Sequence, residues 1–387
     1  LARSGQLDLF ENRMMPTLPV LVGMTQRGIK VDMQVKNEWV DQLTGEMMKE
    51  LDNWNTIAGG VKTSGKNLLK FLYQDLGLPN QYHKHGGMTS EVSKIKLMLM
   101  NSGMSSKARN ALESLLRLRT IQKDLRTYAQ IEVAGDGCVH PGFLPAGKDD
   151  DAFGKGIAGT GRITASNPPI QQQPPTARRM YIAHMDSLVL LEADFSQIEA
   201  RILAELADDD VLREAIREGL HESNMRTLGV DKTRAKNGFY GWAYGAGKRT
   251  LRNTFVGRGF NVPEAECEHI LRSFDERFKR TTHFRNKIAA ELSERYYLTN
   301  AFGRRRYFMG GSRDVPAGLD FHPQSCAADI MWTILRPLQD ELRGVGAEIL
   351  AAIHDSVLIE CPVGNLAGAA GIMKRIMEQP WKELNGL

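Results

Sequence analysis

The chain has 387 residues, 42% of them hydrophobic and 25% charged, enough apolar material for a large core divided into two or three subdomains. No apolar run reaches the roughly 18–20 residues of a membrane-spanning helix, and no secretory signal is visible, so a membrane partner is not expected. The net charge of +4 hides local basic stripes: residues 104–126 carry Lys107, Arg109, Arg117, Arg119, Lys123 and Arg126 against only Glu113 and Asp124, and Arg304-Arg305-Arg306 forms a second cluster. Such stripes suit a polyanion, although each alone also fits a solvated helix face. Cys138, Cys267, Cys326 and Cys361 form no C-x-x-C pair. That pattern argues against zinc and against a disulfide framework, and fits a reducing cytoplasm.

In chain order, Pro16 and Pro19 break the first segment, and Leu18–Val31 reads as a strand or a pair of short helices. Val35–Asp52 has helical apolar spacing (Trp39, Val40, Leu43, Met47, Leu51), ended by Gly59-Gly60. Shorter helices follow near Lys66–Leu76 and Ser90–Met100, then a longer basic one over Ser106–Tyr128. Gly135–Gly161 reads as loop and hairpin. Its Gly154–Gly159 run fits G-x-G-x-x-G, but no strand precedes it and Asn167-Pro168-Pro169 follows where a dinucleotide site needs a helix. The strand Ser187–Ala193 delivers Asp194 at its end. Ile198–Glu218 and most of Lys232–Arg295 are helical, with a break at Gly257–Pro263. Tyr296–Thr299 and Arg306–Met309 pair around Gly303, Pro323–Leu342 is a helix, and Glu348–Ile353 with Val357–Glu360 forms a hairpin whose turn holds His354-Asp355. The fold class is α+β: a small antiparallel sheet carrying two aspartates, flanked by two helical lobes.

The chemistry concentrates in three stretches. Asp194 and Asp355 end strands, and two such carboxylates with a backbone carbonyl such as that of Phe195 can hold Mg²⁺ while leaving positions for water and phosphate. Each Asp alone reads equally well as a turn residue or helix cap. Between them, Lys232, Lys236, Tyr240 and Tyr244 recur every four residues and form one stripe on a helix, cations at one end and aromatics at the other. That order matches a nucleoside triphosphate. Gly238 and Gly241 inside the same helix each cost about 1 kcal/mol relative to Ala, which points to close approach or movement of the helix.

These residues give the chain a resemblance to the polymerase domain of the DNA polymerase I family (family A), covering about Met15 to Trp381. Asp194–Arg201, Lys232–Gly245 and Ile353–Val357 resemble its three core motifs in order. Thr160-Gly161-Arg162 with Gln171, Phe302–Tyr307, and Gln324 with Ala327-Ala328-Asp329 are supporting matches. The resemblance implies a right-hand polymerase fold with an antiparallel-sheet palm and helical thumb and fingers. It divides the chain into an N-terminal segment 1–32, thumb 33–128, palm 129–203, fingers 204–299 and palm 300–387. It further implies template-directed addition of dNTPs to a primer 3′-OH with two Mg²⁺ ions at Asp194, Phe195 and Asp355.

By the same resemblance, Glu199 excludes a ribose 2′-OH, His221, Lys232 and Lys236 hold the triphosphate, Tyr240 stacks on the incoming nucleotide, and Tyr244 fills the template position. Gln197 joins the nucleotide-binding group. Arg162, Gln171 and Gln324 meet the terminal base pair. Arg119, Lys123, Arg304 and His354 are further DNA contacts. The implied partners are primer-template DNA and dNTPs, with the chain acting as a monomer in the cytoplasm, a phage host's if the short fingers and Tyr240 mark a phage enzyme. The competing readings are an RNA polymerase-like enzyme, disfavoured by Glu199, and a relative that only binds primer-template.

Several departures from the family stand out. Lys232 replaces a usual Arg, Asp320 a usual Asn, Tyr240 a frequent Phe, and Ser356 the third carboxylate of His-Asp-Glu. The segment from His221 to Lys236 is short. No Asp-x-Glu exonuclease motif is present. The start at Leu1 and the stop after Trp381, where the family adds a further strand segment, read as the ends of a fragment.

Overall fold

The computed structural model describes residues 5–83, 86–101, 103–145, 148–149, 156–157 and 159–387. The Gly154–Gly159 run lies largely outside them. Near the start, the prolines do not break the chain as the sequence suggests. The chain is helical from Leu7, passes through a π turn at Phe10–Met14 and runs without a break into helix α1 (Met15–Arg27), which takes up Pro16 in its first turn and carries Pro19 inside. The Thr17 hydroxyl lies 2.9 Å from the Arg13 carbonyl and 2.8 Å from that of Trp332, pinning this end of the helix to the core. Gly28, at φ +70°, turns the chain into β1 (Ile29–Val31).

Helix α2 (Met33–Ala58) starts where the Asp32 carboxylate accepts from the N–H groups of Gln34 and Val35, and stops at Gly59 in the left-handed region. It packs with α3 (Ser106–Lys123), capped by Ser105, around buried Trp54, Leu68, Leu72, Leu112, Leu115 and Leu118. This is the first helical lobe. The chain then enters β2 (Cys138–Val139) and later β3 (Tyr181–Ile182), which flank β1 in a small antiparallel sheet.

The central sheet is built from β4 (Leu188–Asp194) and, far along the chain, β5 (Glu348–Ile353) and β6 (Ser356–Pro362), in the order β5-β6-β4. Both neighbours run antiparallel to β6, and the register sets Asp194 opposite Ser356. Side chains alternate across a strand, so Val357, Ile359 and Cys361 face the core while Ser356 and Leu358 share the other face.

The second lobe follows β4. Helix α4 (Ile198–Leu206) leads to α5 (Lys232–Ala243), whose first turn is capped by Asp231. Helices α6 (Lys248–Gly257) and α7 (Glu264–Arg277) close over it. A methyl group at Gly238 would stand 3.0 Å from Ile270 and one at Gly241 3.1 Å from Leu251, so both glycines serve close approach. Phe239, Trp242, Phe274 and Phe278 fill the space between.

Behind the sheet runs the longest helix, α8 (Val315–Arg343). It begins eight residues before the expected start at Pro323 and contains both Pro323 and Pro337. A Pro inside a helix costs about 3 kcal/mol. Here burial on nearly every side, including Phe321, Cys326, Ile330, Trp332, Ile334 and Leu338, outweighs that cost.

A polar network fixes the start of the last third of the chain to α8. Arg304 donates from Nε and Nη2 to Asp329 Oδ1 at 3.0 and 2.6 Å, and Asp329 is fully buried. Asn300 also donates to Asp329 Oδ2 at 2.8 Å and accepts from the N–H groups of Phe302 and Arg304. Removing only Arg304 leaves a buried carboxylate without its charge partner. Arg304→Leu is therefore expected to lower stability by about 3–5 kcal/mol, while Arg304→Leu with Asp329→Leu loses less. Urea midpoints of the two variants measure the difference.

Candidate active site

One cleft of about 500 Å³ lies between the end of the central sheet and the second lobe. Asp194, Phe195, Gln197, Glu199, His221, Lys236, Tyr240, Tyr244 and Asp355 all line it. Two separate causes bring these residues together. Strand pairing places Asp194 beside the two-residue turn His354-Asp355, and the Phe195 N–H donates to the Asp355 carbonyl at 3.2 Å. Helix periodicity then lines Lys236, Tyr240 and Tyr244 along the face of α5 opposite Gly238. His354 at φ +56° and Gln197 at φ +55° occupy the left-handed region next to the two carboxylates. Non-glycine residues held there cluster at functional sites.

The electrostatics are those of an acidic pair with little internal compensation. Desolvation, then the nearby Glu199 and Asp194, push the Asp355 carboxyl above its ordinary pKa against the pull of Arg162. Asp194 is raised likewise, by desolvation and by Glu192, against Arg178 and His354. Neither carboxylate accepts a hydrogen bond from a side chain among the described residues. Two hard oxygen donors left in this state suit a divalent cation, which would reverse both shifts. No three His, Cys, Asp or Glu side chains converge on one point among the described residues, so substrate oxygens or water must complete any cation shell.

Above the acids, Glu199 is the hub. It accepts from the Arg162 guanidinium and from the Tyr244 hydroxyl. Burial works against the Arg162 charge, but Glu199 and Asp355 outweigh it and raise its pKa. Tyr240 and Tyr244 lie with ring centroids 6.0 Å apart at 32°, and His221 meets Tyr240 edge-on at 6.1 Å. Burial, with Glu199 and Asp355 nearby, pushes Tyr240 up to about 12, and burial with Glu199 holds Tyr244 well above its ordinary value, so both phenols stay protonated. Burial and Lys236 lower the pKa of His221, leaving it neutral at physiological pH. His221 Nδ1 and Gln197 Oε1 are buried without hydrogen-bond partners, two polar atoms available to a ligand.

Residues 34–385 match the model of DNA polymerase family A. The chain belongs to DNA polymerase family A. It is 27% identical to DNA polymerase I of Streptococcus pneumoniae serotype 4 across 98% of this chain and 45% of that protein. It is 26% identical to a thermostable DNA polymerase I of Thermus filiformis, across 97% and 46%. The chain thus spans about half the length of these relatives. The POL domain of Pol1 from M. smegmatis, solved in complex with DNA primer-template and dNTP, superposes with a TM-score of 0.84 over 98% of this chain and 69% of that one, at 23% identity. The central sheet is accordingly the palm of a right-hand fold, and the lobes are its thumb and fingers.

Other residues assigned from the sequence of this family A chain sit elsewhere. Lys232 pairs with Glu222 at 2.7 Å, on the exposed end of α5 rather than in the cleft. Arg119 donates to Ser90 and to the Thr63 carbonyl inside the thumb, and burial lowers its pKa. Lys123 lies 5.6 Å over the Tyr128 ring. Gln171 is occupied within the palm: its amide bonds to Ala165, Ile163 and Ala352, and its carbonyl lies 2.8 Å from His354 Nε2. Gln324 donates to Asp320. Arg304, expected at DNA, has its guanidinium against buried Asp329, because a fork of N–H donors near an enclosed carboxylate finds its best partner there.

Glu192 and Arg178 escaped the sequence reading. The available signal was an acid two residues before Asp194 in an otherwise apolar strand, hence on the same face.

Proposed function

We propose that the chain extends a primer 3′-OH along a DNA template, joining it to the α-phosphate of a dNTP and releasing pyrophosphate. The observation that supports this most is the single cleft that combines two undercompensated strand-end carboxylates, a cation with a neutral His, and a paired Tyr stripe beside Glu199. Asp194 and Asp355, with the Phe195 carbonyl, would hold two Mg²⁺ ions. When bound, these would acidify the primer hydroxyl and neutralise the triphosphate. Lys236 and His221 would orient the phosphates, and Arg162 would meet the terminal pair when Glu199 turns to the sugar. Positioning and preorganised charge would supply most of the rate. Residues 33–128 would act as thumb and 204–299 as fingers.

The test is primer extension with Mg²⁺ and deoxy-, ribo- or dideoxynucleotides. Extension with dNTPs alone supports the reading. Tight primer-template binding without extension would establish the binding-only alternative, and free use of rNTPs the RNA polymerase-like one. The Tyr240 hydroxyl accepts or donates no hydrogen bond among the described residues, which leaves it for the nucleotide. Tyr240→Phe is expected to raise discrimination against dideoxynucleotides on the order of 10²-fold. An unchanged ratio in single-nucleotide kinetics would remove Tyr240 from sugar recognition.

A further inference from the structure

Strand pairing sets Glu192 opposite Leu358 and Asp194 opposite Ser356, so Glu192, Asp194 and Ser356 rise from one face of the palm sheet. Ser356 is buried, and its hydroxyl lies 2.6 Å from Glu192 Oε1 and 3.0 Å from the Ile353 carbonyl. With one proton to give, it favours the nearer, charged acceptor. Arg178 Nη1 stands 3.5 Å from the other oxygen, Oε2. One oxygen of this carboxylate is therefore held by a hydrogen bond and the other faces a guanidinium, although the side chain keeps 36% of its surface open. A free surface Glu has no need of a buried serine, and a structural ion pair has no need to stand one residue pair from Asp194.

Ser356 thus does not leave the site one acid short, as the sequence suggested. It anchors an acid contributed by the neighbouring strand. We propose that Glu192, fixed by Ser356 and balanced by Arg178, is a positioning residue that sets the divalent-cation affinity of the Asp194–Asp355 pair. It acts as a nearby charge and not as a ligand, since no three acidic or imidazole groups converge among the described residues. The inference rests on the reading of Asp194 and Asp355 as cation holders. It adds that cation affinity in this chain is tuned from β4, and that Arg178 works against Glu192.

The test is Mn²⁺ binding to the purified chain, followed by electron paramagnetic resonance of free Mn²⁺, alongside the Mg²⁺ concentration for half-maximal extension. Glu192→Gln is expected to weaken Mn²⁺ about 3- to 10-fold and raise the Mg²⁺ requirement, with kcat at saturating Mg²⁺ nearly unchanged. Adding Ser356→Glu to Glu192→Gln returns a charge to this face and restores affinity. Arg178→Gln tightens Mn²⁺ binding, a direction that loss of structure would not give. Unchanged affinity in Glu192→Gln, failure of Ser356→Glu to restore it, or weaker binding in Arg178→Gln would each overturn the proposal. Asp194→Asn separates the two levels. If it weakens Mn²⁺ while Glu192→Gln does not, only the role of Glu192 falls. If neither matters, the cation reading itself falls.

Discussion

Asp355→Asn is expected to lower primer extension on the order of 10³-fold while raising the melting temperature of the cation-free protein. The two effects share one cause. Desolvation and the acids around it raise the Asp355 pKa in the folded state. A carboxyl with a raised folded pKa is compatible with the fold while protonated. Its contribution turns unfavourable as pH rises from the ordinary aspartate value through the folded one. In EDTA at pH 7.5 the charged form is the one the fold disfavours, with Arg162 offsetting only part of the cost, so the neutral isostere should melt higher. The gap should narrow as pH falls through the folded-state pKa, because the wild-type group takes up its proton there. Mg²⁺ should raise the wild-type melting temperature and leave Asp355→Asn nearly unaffected. Scanning calorimetry across pH, with and without Mg²⁺, measures all of this. A lower melting temperature for Asp355→Asn at pH 7.5 would mean that the carboxylate is structural.

Glu199→Ala should reduce selection of dNTPs over rNTPs on the order of 10²-fold. The geometry implies more than loss of a steric block. Glu199 restrains both Arg162 and Tyr244. Its removal frees Tyr244, proposed to fill the template position, and Arg162, proposed to meet the terminal pair, so KM for dNTPs should rise as well. Tyr244→Phe separates the contributions: it releases one restraint and leaves the carboxylate in place, so it should affect KM while keeping sugar selection. Single-turnover kinetics with each nucleotide class give the ratios. Equal rejection of ribonucleotides by Glu199→Ala and wild type would assign the 2′-OH block to another residue.

What could be read in the sequence follows the range of the interactions involved. The stripe Lys236, Tyr240, Tyr244 and the two strand-end aspartates are local patterns, and the fold gathers both around one cleft. Partner choice between distant side chains is not local. Arg304 and Asp329 are 25 positions apart, Glu192 and Ser356 are 164, and no spacing rule announces either pair. Lys232 belongs to the stripe by period, but Glu222 on the preceding helix claims it. The prolines of α1 and α8 misled for a related reason. Their cost is written locally, whereas the burial that overrides it is collected from the whole palm.

The glycine seam of α5 gives the fingers an unusual sensitivity. A methyl group at Gly238 would meet Ile270 on one side of a rod whose opposite side presents Lys236, Tyr240 and Tyr244 to the cleft. That group asks Ile270 to give way by a few tenths of an ångström, and where the rod shifts instead the displacement would emerge at the cleft. Changes deep in the fingers core should then read out as altered substrate preference before they read out as unfolding. In a search for variants with new nucleotide tolerance, the inner face of α5 and the residues facing it on α7 are as promising as the cleft itself.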